Sequence, residues 1–296
     1  MIGRGWLMPW VWILLALLFL GIFLVYPVIE TIRISLLNAN STSFVGMDNY
    51  THVFTQGEAR RALLNSLLWL VLFTSVTVGL GLVIAVLTDH VRYEVAVKAL
   101  IFVPMAISFV AAGVIWTLMY QFRPDEPGFT QTGTVNAVLT WLSISPVAWL
   151  VDQGKVPFFG VNNLAIILAG VWMWTGFAMV VLAAGLKGIS SEVLEAARVD
   201  GAGEWQIFRR IIIPLLWPTI VVVAITLMIN ALKIFDLVFV MTGGRFGTDV
   251  IATRMWREMF ISSNFGRASA LAVLLLLAIV PVLVMNIRRF RSEADQ

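Results

Sequence analysis

The chain contains no cysteine, which excludes disulfides, thiol nucleophiles and thiolate metal sites. Charge is scarce too: only 12% of its 296 residues are Asp, Glu, Lys or Arg, and the net charge is +3. So small and scattered a positive balance gives no reason to expect a nucleic-acid partner. Its two histidines, His52 and His90, are expected in loops. There is no H-E-x-x-H pair, and no two carboxylates share an apolar run, which argues against an intramembrane hydrolase. The G-x-x-x-x-G-K-[ST] phosphate loop is missing, so ATP has no site of the usual kind here. A selectivity-filter sequence and an arginine-rich sensor helix are missing as well, which counts against an ion channel.

What the chain does have is apolar sequence. Hydrophobic residues make up 60% and the mean hydropathy is +0.92, more than one globular core of this length buries. Six runs are long enough to cross about 30 Å of hydrocarbon at about 1.5 Å per residue. They are Trp10–Val28, Leu63–Leu87, Ala99–Met119, Leu164–Leu186, Leu216–Met241 and Ala268–Ile287. Trp6, Trp10, Tyr26, Tyr120 and Trp217 flank them as interface aromatics do. The first run shows no small-x-small cleavage site before Tyr26-Pro27 and is read as a retained span, with a cleaved signal peptide as the minor alternative. The expected fold is an all-α polytopic membrane protein: residues 1–9 outside the bilayer, six transmembrane helices in 10–287, and a basic tail 288–296.

One polar stretch, Ile189 to Pro214, interrupts the apolar sequence between spans four and five. Ser190 suits an N-cap, with Ile189 set to pack on Leu194 and Glu192 in the first turn. Val193, Leu194 and Ala197 share a face, and Glu195 and Arg198 are spaced to pair on the other. Asp200-Gly201 is turn chemistry. Trp205, Phe208 and Ile212 form a second apolar stripe that Pro214 is expected to stop. Two short amphipathic helices with no core of their own need something to dock on.

The spacing Glu195-Ala196-Ala197, three residues, Gly201, nine residues, Ile211-Ile212-Ile213-Pro214 resembles the EAA loop of binding-protein-dependent ABC importer permeases. Only Ile213 departs from the pattern, which usually has Leu there. The resemblance implies that the loop is a coupling helix seated in a cleft of an ATPase subunit. Glu195, Ala196, Ala197, Asp200, Gly201, Phe208 and Pro214 are then the coupling residues. It further implies a homologous second permease, two ATP-binding subunits that use ATP and magnesium, an extracytoplasmic sugar-binding protein, and no cofactor on this chain. Other stretches are similar to carbohydrate permeases of the MalF-like class: Phe177 to Ser190, Leu232 to Gly244, Thr248 to Met255 and Asn286 to Arg291. Within that class, Val103-Pro-Met-Ala-Ile-Ser108, Lys233-Ile-Phe-Asp236 and Asn286 to Arg291 are most similar to α-glucoside and glucosylglycerol permeases. The large extra outer domain of the maltose permease has no counterpart, so its pocket residues are not carried over.

With six spans, both termini and the polar loop share one side. Arg92, Lys98, Lys187, Arg198, Arg209, Arg210 and the tail arginines crowd its short segments, which favours the cytoplasm of a bacterial or archaeal cell. The family resemblance fixes the same orientation.

Polar groups inside spans are costly and mark candidate solute paths. Asn230, Lys233 and Asp236 follow one another at three-residue spacing above Thr226. They read either as a pocket wall or, for the Lys–Asp couple, as a self-neutralising pair. Asn162 and Asn163 open the fourth span, and Trp172 and Trp174 lie within it. Amides match sugar hydroxyls and indoles stack on sugar faces, although both also serve packing. Asn65, Trp69 and Thr74 are further lining candidates, and Pro104 and Ser108 are expected to bend the third span. In the long outer segment, Val135 to Leu142 and Val147 to Leu150 read as short helices. Trp141, Trp149, Phe158 and Phe159 there offer either a partner surface or headgroup-level packing. A self-sufficient secondary transporter or channel is the alternative class. Secondary transporters commonly show repeated halves and intramembrane carboxylates; no repeat is evident here, and Asp236 is the one acid within a span.

Overall fold

The computed structural model describes residues 8–89, 91–124, 130, 132–151 and 160–294. The helices in chain order are α1 (Met8–Leu20), α2 (Tyr26–Ser35), α3 (Asp48–Thr55), α4 (Gly57–Leu68), α5 (Thr74–Thr88), α6 (Glu94–Phe102), α7 (Phe109–Met119) and α8 (Thr134–Trp141). They continue with α9 (Val161–Lys187), α10 (Ser191–Val199), α11 (Glu204–Ile207), α12 (Ile213–Leu232), α13 (Asp236–Thr242), α14 (Ile251–Phe260) and α15 (Phe265–Ala294). Among the described residues, five continuous helical runs are long and apolar enough to cross a membrane, or six if one bent pair is counted as a span.

Among the described residues three runs carry a π-helical turn, at Gly21–Val25, Trp69–Phe73 and Phe208–Ile212. Two of these turns lie just ahead of Pro27 and Pro214. A proline lacks the donor for the helix ladder and its ring presses on the carbonyl four residues back. A widened turn relieves that clash without ending the helix. Pro214 therefore does not stop the loop's second helix as expected; helix runs on from Glu204 to Leu232. The third span differs too. It is two helices bent by 99°, with a 3₁₀ turn at Val103–Ala106 between them. Pro104 lies in that turn, and the Ser108 hydroxyl accepts from the Ala111 N–H at 3.2 Å to start α7 afresh.

The chain divides into two compact units. The first comprises Met1–Arg60 and Arg254–Leu277. There the buried Asn49 amide donates to the Ser35 and Leu37 carbonyls, at 2.9 and 2.7 Å. Arg254 bridges Glu58 and the buried Glu258, at 2.5 and 2.8 Å. His52 lies in α3 rather than in a loop; His90 lies outside the described residues. Burial, then the nearby Arg267 cation, holds the His52 imidazole below its ordinary pKa of 6.5, against the opposing pull of Glu258. The sign follows. Below pH 6.5 the unfolded chain binds a proton that the folded unit resists, so this stabilisation is complete above 6.5 and is lost as pH falls toward the folded value. The thermal stability of the purified protein is expected to fall as pH is lowered through about 6.5. His52→Gln is expected to flatten that slope, and an equal slope in the variant would exclude His52 as its source.

The second unit, Arg61–Thr253 with Ala278–Gln296, is organised around α9. Glycines let neighbours approach this helix closely, as is usual where helices pack in lipid. A β-carbon on Gly81 would lie 2.6 Å from that of Ala178, and one on Gly170 would lie 2.9 Å from the Trp69 ring. One on Gly176 would meet the Ile101 carbonyl oxygen at 2.6 Å and the Phe102 Cα at 2.7 Å. The α6 backbone thus rests on the α9 backbone. In the outer segment, α8 forms as expected, but Val147 to Leu150 is not helical. The Asn136 amide pairs with the Val147 backbone through both its donor and its acceptor, at 3.0 Å each. Trp149 donates to the same amide oxygen and packs on Tyr120, whereas Trp141 is exposed; Phe158 and Phe159 fall outside the described residues.

Candidate functional site

The polar loop folds as α10, a tight turn and α11. Ser190 caps α10, its hydroxyl accepting from the Glu192 N–H at 3.2 Å. At the other end Gly201 has φ +85°. Its N–H donates to the Arg198 carbonyl at 3.1 Å, and the Ala202 N–H donates to Ala197 at 3.0 Å. These two bonds make the glycine-dependent Schellman stop, which satisfies carbonyls that the helix end leaves free. Arg198 then reaches forward to Glu204 at 2.8 Å, not back to Glu195 as the spacing suggests, and so stitches α10 to α11. Glu195, Ala196 and Asp200 are left on the exposed surface.

Apolar groups are exposed beside them. Val199 is 87% and Trp205 69% exposed, and the Trp205 ring leans on Phe208 at 5.6 Å. Of the expected stripe, Phe208 and Ile212 are half-buried; the loop's anchor is Ile207, 1% exposed, which lies between Trp205 and Phe208 and is outside that stripe. A capped hairpin that exposes valine, tryptophan and a glutamate has the makings of a docking surface.

At the far end of α12 the helix breaks. The expected span Leu216–Met241 ends as α12 at Leu232, and α13 starts at Asp236. Lys233 and Asp236 are consequently not neighbours on one helix face. Among the described residues no ion pair joins them, and both side chains are exposed. With Asn230, Ile234, Phe235 and Phe109 they line an open pocket of about 50 Å³. Irregular backbone at membrane depth is tolerated where it lines such a cavity. The Asn230 nitrogen donates to Thr226 at 2.8 Å, and its side-chain oxygen has no partner among the described residues. The pocket thus offers an amide oxygen, an ammonium and a carboxylate beside aromatic walls.

The structure separates the other candidates. Trp174 packs on Phe109 at 6.3 Å, directly behind the pocket. Trp172, two residues away on the helix, faces elsewhere and meets Trp116 edge-on at 5.7 Å. Asn163 is 3% exposed and belongs to a different arrangement. Asn65 donates to the Gly247 and Asp249 carbonyls at 2.7 Å, Asn162 to Phe246 at 2.8 Å, and Asn163 to Gly247 at 3.5 Å. These amides clasp a turn in which Gly243, Gly244, Phe246 and Gly247 all have positive φ. Trp69 is buried in the core around α9, and Thr74 is buried too.

Residues 77–290 match the family of binding-protein-dependent transport system inner membrane components. The chain belongs to this family. It is a multi-pass inner-membrane permease subunit of an ABC importer. It is 52% identical to the osmoprotective compounds uptake permease protein of Synechocystis sp., over 94% of this chain and 97% of that one. Identity to the α-glucoside transport system permease protein of Rhizobium meliloti is 42%, over 97% of this chain and 83% of the other. Among solved structures it is similar to a chain of a bacterial ABC transporter involved in the import of alginate. The TM-score there is 0.79 at 25% identity, over 98% and 97% of the two chains.

Proposed function

We propose that the chain forms half of the translocation path for an α-glucoside-type sugar. A homologous permease supplies the other half, two ATP-binding subunits supply the energy, and an extracytoplasmic binding protein delivers the sugar. The observation that carries this reading is the loop of residues 189–214, capped at both ends of α10 and exposing Val199, Trp205 and Glu195. Its place is a cleft of the ATPase, which puts the loop and both termini in the cytoplasm. ATP and magnesium are used by that partner, since the sequence holds no phosphate loop. The sugar class is supported by the α-glucoside relative, and a binding protein is supported by the alginate importer solved with its periplasmic protein.

The solute path is assigned to Asn230, Lys233 and Asp236, with Phe109 as wall and Trp174 behind it. An amide oxygen and two opposite charges suit hydroxyls that both donate and accept. Asn230→Ala is expected to lower sugar uptake by up to about tenfold, the value of one hydrogen bond, with assembly and basal ATP hydrolysis unchanged. Uptake equal to that of the unmodified chain across a range of sugar concentrations would remove Asn230 from the path. Co-purification of an ATP-binding subunit with the chain tests the assembly itself.

A further inference from the structure

A cluster of charges that includes Glu94, Lys98 and Lys187 joins α6 to the root of the polar loop. Glu94, the first residue of α6, lies 2.5 Å from Lys98 one turn along and 2.7 Å from Lys187, the last residue of α9. Only Gly188, Ile189 and Ser190 separate Lys187 from α10. The two contacts differ in kind. Lys98 shares a helix with Glu94, whereas Lys187 ties Glu94 to another element.

Further along, α6 is fastened to α9 a second time, where Ile101 and Phe102 rest on Gly176. The chain then turns through 99°, Ser108 caps the next helix, and Phe109 enters the pocket wall against Trp174. An unbroken series of packed groups thus runs from the loop root to the residue that walls Asn230, Lys233 and Asp236. We propose that Glu94 and Lys187 are a positioning pair that makes α6, and with it Phe109, move with the loop. The inference rests on the reading of that loop as the ATPase contact.

The pair is partly solvated, so its removal is expected to change the coupling of hydrolysis to transport by at most about fivefold. The test uses the complete assembly in liposomes with its binding protein. Radiolabelled maltose, sucrose or trehalose is the probe, whichever of them the binding protein delivers. The readout is sugar imported per ATP hydrolysed. Lys187→Gln is expected to lower this ratio about two- to fivefold while hydrolysis continues, and Lys187→Arg to restore it. Lys98→Gln removes a partner of the same carboxylate but no link between elements, and is expected to leave the ratio unchanged. An unchanged ratio in Lys187→Gln, or an equal fall in Lys98→Gln, would overturn the proposal.

The absence of native cysteine allows a second measurement. Glu94→Cys with Lys187→Cys, bridged by a bifunctional thiol reagent, is expected to keep importing, because the two elements travel together. Import that stops on bridging would show that they part during the cycle, and would also overturn it. A fault in the loop reading shows elsewhere, in the unmodified chain, as import indifferent to the ATPase.

Discussion

Gly201→Asp and Glu195→Lys are each expected to abolish uptake, with the chain still inserted and solute binding to the receptor protein unaffected. Gly201 has φ +85°, where a β-carbon costs about 1–2 kcal/mol. Within the chain the added β-carbon itself meets no atom within 4 Å, so backbone strain is the cost identified there. A loss of transport larger than this backbone cost explains must therefore arise against the ATPase, in the space that the bare turn leaves open. Glu195 is exposed and its expected partner Arg198 is taken by Glu204, so its carboxylate is available to a basic group on another subunit. Charge reversal would place two cations together. The measurement is ATPase retained on the purified permease, together with uptake. Full retention and normal transport in both variants would refute the coupling role.

The second large effect is expected at Gly176. A β-carbon there would lie 2.6 and 2.7 Å from backbone atoms of Ile101 and Phe102, which no rotamer change relieves. Gly176→Ala should therefore push α6 off α9 and cost about 1–3 kcal/mol, as overpacking of a closed interior does. Because α6 leads through the 99° bend to Phe109, transport should fall as well. Gly79→Ala is the control: it too sits in a span helix, but its β-carbon would meet open space. That change is expected to be neutral or stabilising by up to about 1 kcal/mol. Equal unfolding midpoints for the two variants would show that α6 does not depend on the Gly176 contact.

The loop's chemistry was largely legible in the sequence, because it is local. Ser190 as N-cap and Gly201 as a positive-φ turn depend on residues within one helical turn of them, and both form as read. The number of spans was legible for a similar reason, since apolar length alone decides whether a run can cross. What escaped depends on groups far apart in the chain. Pro214 looked like a stop, but a π-helical turn absorbs it. Pro104 and Ser108 signalled a bend without its angle, which the contact between α6 and Gly176 accompanies.

Asparagines were the hardest to interpret. Asn230 and Asn65 sit in apolar runs and Asn163 just ahead of one, where an amide is equally suited to a solute or to a backbone. Only the fold shows that Asn65 and Asn163 clasp the Gly243–Val250 turn while Asn230 faces a pocket. Lys233 and Asp236 reach that pocket because the helix breaks between them, and nothing in their spacing foretold the break.

Uptake of the labelled sugar into liposomes, with the ATP-binding subunits present or omitted, puts the importer reading to its most direct test. Import should require those subunits, ATP and the loaded binding protein together, and should stop when any one is left out. Import at an undiminished rate without the ATP-binding subunits would contradict it, and would make the chain a transporter in its own right.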